Sequence, residues 1–229
     1  MSEKESKQPN CVGFIMDGNR RFATELGKST LEGHKAGEAV FYDSVSWVKD
    51  AGIKHAVYYA FSTENWKRSP EEVSYLMKLF ELFIKRMLNE IHQVKVGVKV
   101  IGQRKDFSPK LQKLIDDLET ESAEYKELTV WVALSYGGRA EIVEAANRAV
   151  LAGEEVTEES FTKMLWTADM PDPDLVIRTG GEQRLSNFLP WQSVYSELFF
   201  TDTYWPAFTK EEFTRILSAY ADRERRQGK

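Results

Sequence analysis

The sequence predicts a single α/β domain: about six mostly parallel strands with helices on both faces. Three observations predict it. Short apolar runs without polar alternation recur along the chain, the pattern of strands buried on both faces. Between them lie longer stretches with apolar residues at helical spacing, which supply crossover helices. Most runs also break into clusters of Gly, Ser, Asn and Arg, and a parallel sheet gathers such strand ends on one rim.

The elements follow in order. Residues 1–10, MSEKESKQPN, read as a disordered charged arm, leaving 11–229 as the domain. Cys11 to Met16 is the first strand, and it breaks into Asp17-Gly18-Asn19-Arg20-Arg21, a turn followed by a polar loop. Leu31 to Ala51 suits a helix with Ala36, Val40, Val45 and Val48 on one face, ended by Gly52. His55 to Phe61 is the second strand and runs into Ser62-Thr63-Glu64-Asn65-Trp66-Lys67-Arg68. Ser69-Pro70-Glu71-Glu72 opens a helix to about Ile91 whose apolar residues cover more than one face. Such a face is either packed between two neighbours or partly lines a cavity for an apolar ligand. Val96 to Ile101 is the third strand, Ser108 to Glu124 the next helix, and Leu128 to Leu134 the fourth strand, ending in Ser135-Tyr136-Gly137-Gly138-Arg139. A helix follows over Ala140 to Ala152 and a short one begins near Thr157. Leu175 to Ile177 is the fifth strand, ending in Arg178-Thr179-Gly180-Gly181, Leu198 to Phe200 a short sixth, and Thr209 to Glu224 the closing helix.

Composition narrows the function. The net charge of -5 argues against a general nucleic-acid binder, so an anionic ligand must be held by a local cluster. One cysteine, Cys11, permits no intrachain disulfide and fits a reducing cytosol. The polar start is no signal peptide and no window reaches the ~18 apolar residues of a membrane span, so a cytoplasmic protein is expected. Motifs for nucleotide phosphates, a serine nucleophile elbow and Cys/His metal sites are absent.

What remains is a rim rich in guanidinium groups: Arg20, Arg21, Arg68, Arg139, Arg178 and Arg184, with Gly180-Gly181 offering backbone amides. Each arginine alone would pass for solvated surface charge; their convergence is what points to phosphate. Asp17 and Glu197 are carboxylates for a hard cation, and Mg²⁺ typically binds one or two carboxylates plus the substrate's own phosphates. The rim therefore suggests a diphosphate with Mg²⁺. A Mg²⁺-dependent phosphohydrolase using Asp17 as nucleophile is the rival chemistry, but it wants a second acid nearby, and Asn19 stands there.

The segments IMDGNRRFA, GHKAG, YAFSTENWKR, SYGGRAEI, DLVIRTGGEQRLSNFLPWQ and YSELFFTDTYWP, in this order and separation, resemble the signature segments of the cis-prenyltransferases, above all those of the bacterial undecaprenyl diphosphate synthase type. The resemblance covers essentially everything after Asn10. It implies extension of farnesyl diphosphate by isopentenyl diphosphate with release of pyrophosphate, a hydrophobic tunnel, Mg²⁺, a homodimer, peripheral membrane contact through the product, and a role in supplying a lipid carrier for cell-wall synthesis. It implies that Asp17 assists diphosphate departure and binds the metal with Glu197, that Gly18, Asn19, Arg20 and Arg21 cradle the allylic diphosphate, faced by His34, and that Phe22 stands in the substrate site where the family usually has Trp or another aromatic. Asn65 is implied to assist proton removal, with Ser62, Thr63, Glu64, Trp66 and Arg68 shaping that pocket. Arg178, Arg184, Leu185 and Ser186 match the isopentenyl diphosphate site. The helix from Val73 to Ile91 then becomes a tunnel wall. The chain departs from the family at Cys11, a common His, at Thr30, a common Arg, and at Arg20, a common Gly. The tail Arg225-Arg226-Gln227-Gly228 resembles a terminal R-x-G that reaches the isopentenyl site. A catalytically silent scaffold subunit is the second rival, opposed by the presence of Asp17, Asn65, Arg178 and Arg184 together.

Overall fold

Strand after strand, the buried apolar runs of the sequence pair in parallel. The computed structural model describes residues 8–153 and 155–223. Its sheet holds six strands, β1 (Cys11–Ile15), β2 (His55–Ser62), β3 (Gly97–Ile101), β4 (Thr129–Tyr136), β5 (Leu175–Arg178) and β6 (Glu197–Phe200), in the order β3-β4-β2-β1-β5-β6. Every pairing is parallel, where the sequence predicted mostly parallel.

The helices are α1 (Asn19–Glu25), α2 (Thr30–Asp50), α3 (Pro70–Val94), α4 (Pro109–Glu121), α5 (Gly138–Ala152), α6 (Glu158–Thr162) and α7 (Lys210–Asp222). Their starts follow capping chemistry. Ser29 and Glu32 form a reciprocal box at α2, and the hydroxyls of Ser69, Ser108 and Thr209 each accept a backbone N–H at the start of α3, α4 and α7.

Side chains alternate across the sheet and build two cores. On one face Val12, Phe14, Tyr58, Val130 and Ile177 pack against Phe41 and Val45 of α2, Ile84 and Met87 of α3, Ile115 of α4 and Phe213 of α7. On the other, Val57, Trp131, Tyr136 and Val176 meet Met170, Phe188 and Leu189. That second side is tied together by the buried Glu141 of α5, which accepts hydrogen bonds from Tyr136, Thr167 and Gln192. Among the described residues no helix is long and apolar enough to cross a membrane.

The structure corrects the sequence in places. Residues 19–25, expected as a polar loop, form α1; with only Phe22 and Ala23 apolar, seven residues show no helical period. α1 packs closely on α2 at Gly33, where a Cβ would stand 2.2 Å from the Asn19 carbonyl oxygen. Asn10, assigned to the disordered arm, is anchored: its amide donates to Asp174 at 2.7 Å and its carbonyl accepts from His55. β2 and β4 run on to Ser62 and Tyr136, their register slipping around Ala60. The rest of the arm, residues 1–7, and the Arg225–Gly228 tail lie outside the described residues, as does Glu224, the expected last residue of the closing helix.

Candidate active site

β1 lies beside β5; the chain leaves β1 for β2 on one side and β5 for β6 on the other, so the rim beyond the carboxyl ends of this pair is the crevice of the sheet. Asp17 follows β1 there and Arg178 ends β5 beside it. Gly18 turns the chain into α1 with φ 102°, and a Cβ on it would meet Tyr204 at 2.6 Å. The Asp17 amide donates to the Thr179 hydroxyl at 3.1 Å, and that hydroxyl lies 2.8 Å from the Asp17 carbonyl.

Arg178 is the tie. Only 4% exposed, it donates to Asp17 Oδ2 at 2.8 Å, to Ser186 Oγ at 2.7 Å and to the Arg184 carbonyl. Asp17 Oδ1 accepts the Gly18 amide at 2.7 Å and lies 3.3 Å from Arg21. Burial pushes the Asp17 pKa up, but Arg178, the Gly18 amide and Arg21 together outweigh it and hold the carboxyl below its ordinary range. Arg21 lies over the Tyr204 ring, and Glu182 stands between Arg21 and Arg184, pairing with both. Arg184 thus reaches the cluster through Glu182 and not through Asp17.

The second polar cluster divides. Thr63–Lys67 is a 3₁₀ turn in which the Asn65 side-chain carbonyl accepts the Ser62 amide at 3.0 Å, leaving the Asn65 NH₂ as the group it presents. Asn65 and Arg68 line the cavity described below. Trp66 packs on Phe61 and donates to the buried Ser135 at 2.8 Å, so it positions the turn from behind. Glu64 and Thr63 face the 186–187 turn, with Asn187 donating to Glu64 at 2.9 Å. His34 sits 3.5 Å from Glu72, which also pairs with Arg68 at 3.0 Å. Burial first, then Arg68, lowers the His34 pKa past the opposing pull of Glu72, which favours the neutral imidazole.

Two cavities meet at this rim. The polar one is walled by Asp17, Gly18, Asn19, Arg20, Arg21, Thr24, His34 and Arg68. The other, about 190 Å³, runs between α2, α3 and the sheet among Phe41, Leu76, Phe80, Phe83, Met87, Val100 and Val132. Met16, Asn19, His34 and Arg68 border both, so a polar mouth opens on an apolar interior. The wide face of α3 is therefore in part a cavity wall.

One expectation does not hold. Glu197, expected to hold a metal together with Asp17, does not stand beside it in its own chain. It opens β6 level with Leu175, at the amino end of the parallel sheet, and pairs with Arg223. Five residues of strand rise separate that level from Asp17, roughly 16 Å. Phe22 lines neither cavity. Sequence reasoning also missed Thr179, Glu72 and Tyr204. Glu72 had a signal, since it stands four residues after Arg68, the spacing of a helical ion pair.

Comparison with known proteins places the chain. The family profile described as "Putative undecaprenyl diphosphate synthase" matches residues 15–228. An isoprenyl transferase of Thermotoga maritima is 44% identical over 225 residues, covering 96% of this chain and 97% of that one. A tritrans,polycis-undecaprenyl-diphosphate synthase (geranylgeranyl-diphosphate specific) of Methanopyrus kandleri is 42% identical, covering 99% and 87%. The crystal structure of lavandulyl diphosphate synthase from Lavandula x intermedia, in complex with dimethylallyl diphosphate, superposes with a TM-score of 0.92 at 34% identity, covering 97% of this chain and 99% of that one. With sequence, relatives and fold agreeing along its length, this chain belongs to the undecaprenyl diphosphate synthase family and is a cis-prenyltransferase.

Proposed function

We propose that the protein condenses isopentenyl diphosphate stepwise onto farnesyl diphosphate, with Mg²⁺, to make a long-chain polyprenyl diphosphate of the undecaprenyl type that supplies a lipid carrier for cell-wall synthesis. The observation that carries this reading is the continuity of the two cavities: a cationic mouth suited to a diphosphate shares a rim with a hydrocarbon-lined interior suited to its tail. Each addition breaks the allylic C–O bond, joins that carbon to the isopentenyl double bond, and loses one proton to form the new double bond.

The chain's own groups suit these demands. Breaking the C–O bond puts negative charge on the leaving diphosphate, and Arg20, Arg21, Arg68 and His34 wall the space where it would lie. Arg178, fixed by Asp17 and Ser186, supports the isopentenyl diphosphate side with Arg184. Asn65 is no base, and its NH₂ suits it to orient the acceptor of the proton, the released pyrophosphate or a water. Among the described residues no three His, Cys, Asp or Glu side chains cluster as a metal cage, which fits an ion held by one carboxylate and substrate phosphates. Asp17 would hold it, and when bound it would supply further charge neutralisation for the leaving group. A homodimer belongs to the same proposal, supported by the exposed Val194 and Tyr195 just before edge strand β6.

The test is incubation of the purified protein with isopentenyl diphosphate, Mg²⁺ and allylic primers from dimethylallyl to geranylgeranyl diphosphate. Farnesyl diphosphate giving long polyprenyl products and one pyrophosphate per addition supports the reading. Phosphate release without chain growth, or no reaction, rejects it. Light scattering reports the dimer.

A further inference from the structure

The apolar cavity has one feature that a passage for hydrocarbon does not explain. Glu38 lines it. Tyr59 aside, a phenol that burial keeps protonated, the other ionisable groups on its wall, His34 and Arg68, belong to the mouth and also border the polar cavity, whereas Glu38 does not. α2 descends from the rim, and Glu38 stands one turn below His34, about 6 Å further along the helix. Phe41 lies in the next turn, and Phe83 of α3 meets it at 5.0 Å between ring centroids. An extended tail leaving the mouth passes the Glu38 level of α2 before it reaches these rings.

We propose that Glu38 is a specificity-determining residue: its carboxyl in the cavity wall discriminates against allylic tails long enough to pass it, and so keeps primer and product shorter than the apolar walls alone would allow. The inference rests on the prenyl-transfer reading above. Its physical basis is that a hydrocarbon tail seated against a carboxylate strips water from the charge and returns no hydrogen bond. Among the described residues Glu38 has no ion pair within 4.0 Å. The charged and titratable groups that act around it are Lys35 and Tyr42 of α2 and Arg86 of α3. Arg86 is already engaged, by Glu90 at 3.1 Å and by the Tyr42 ring at 4.2 Å. The strands flooring the cavity add no charge. Burial raises the Glu38 pKa against the weaker pull of Arg86 and Lys35, so acid neutralises this group more readily than an ordinary glutamate.

The test compares the full chain with Glu38→Ala and Glu38→Gln. The readouts are the ratio of kcat/KM for farnesyl over dimethylallyl diphosphate, and the length of the products. The ratio rises about tenfold in Glu38→Ala, equivalent to about 1.4 kcal/mol, with longer products. Glu38→Gln moves both in the same direction, and it carries the test alone if the alanine variant fails to fold. Wild-type products lengthen as pH falls, and those of Glu38→Gln do not respond. Unchanged ratio and length in the variants overturn the proposal, as does a shift towards shorter chains. If the wild type elongates no primer, the prenyl-transfer reading fails separately. Binding of the unreactive thiolo analogues of dimethylallyl and farnesyl diphosphate then decides the role of Glu38, which stands only if Glu38→Ala favours the farnesyl analogue.

Discussion

Arg178 spends its hydrogen bonds on groups that the chain keeps far apart, Asp17 of the first strand end and Ser186 of a turn following the fifth. Replacing it by leucine leaves the half-buried Asp17 carboxylate without its main partner, and we expect a loss on the order of 3 kcal/mol in urea unfolding. Asp17→Asn keeps the shape and removes the charge; kcat should fall about 100-fold or more if the carboxylate serves the transition state, a drop read by steady-state kinetics. His34 sets a pH dependence of stability. Its folded pKa is below its unfolded value of about 6.5, so the unfolded chain binds the extra proton and stability declines as pH falls from there through the folded pKa. Thermal melts should show that decline in the wild type and a shallower one in His34→Gln. At this scale the charged groups that interrupt apolar runs named Asp17 and Arg178 as rim residues, while Asn65, His34 and Ser186 were singled out by the resemblance to the cis-prenyltransferases. Thr179 and Glu72 escaped because a hydroxyl and a helix-start acid look ordinary until their partners are in place.

Helices and strands were legible where the pattern was long. α2 and α3 span 21 and 25 residues, so their periodicity, with Gly52 after α2 and the Ser69 cap before α3, placed them within a few positions. α1 was invisible because it is short and mostly polar, yet it carries Asn19, Arg20 and Arg21, which wall the polar cavity. Its seat depends on the bare backbone of α2. Gly33→Ala would press a methyl on the Asn19 carbonyl, and we expect a cost of about 1–3 kcal/mol in thermal or urea unfolding together with weaker diphosphate binding. The cap of α3 gives a milder expectation: Ser69→Ala should cost about 1 kcal/mol, since one backbone N–H at the helix start loses its acceptor.

The molecule as a whole divides its labour between the two faces of one sheet. One face carries α2, α3 and the cavity, while the other, pinned by Glu141, fixes the 165–192 region that presents Arg184 to Asn187 at the rim. Without a three-ligand metal cage among the described residues, chelation by EDTA should abolish turnover and leave the melting temperature of the substrate-free protein unchanged; a large fall in that temperature would point to a structural ion. Alternating apolar runs and helical periods, read along the chain, determined the parallel α/β architecture, the identity of most rim residues and the oversized face of α3, because these follow from local burial and spacing. Only the tertiary structure decided which of those residues meet. Strand order and register set Arg178 beside Asp17 and carry Glu197 to the far end of the sheet. Helix packing leaves Glu38 on a hydrocarbon wall. Such neighbours are fixed by contacts between segments distant in sequence, and no local pattern encodes their distance.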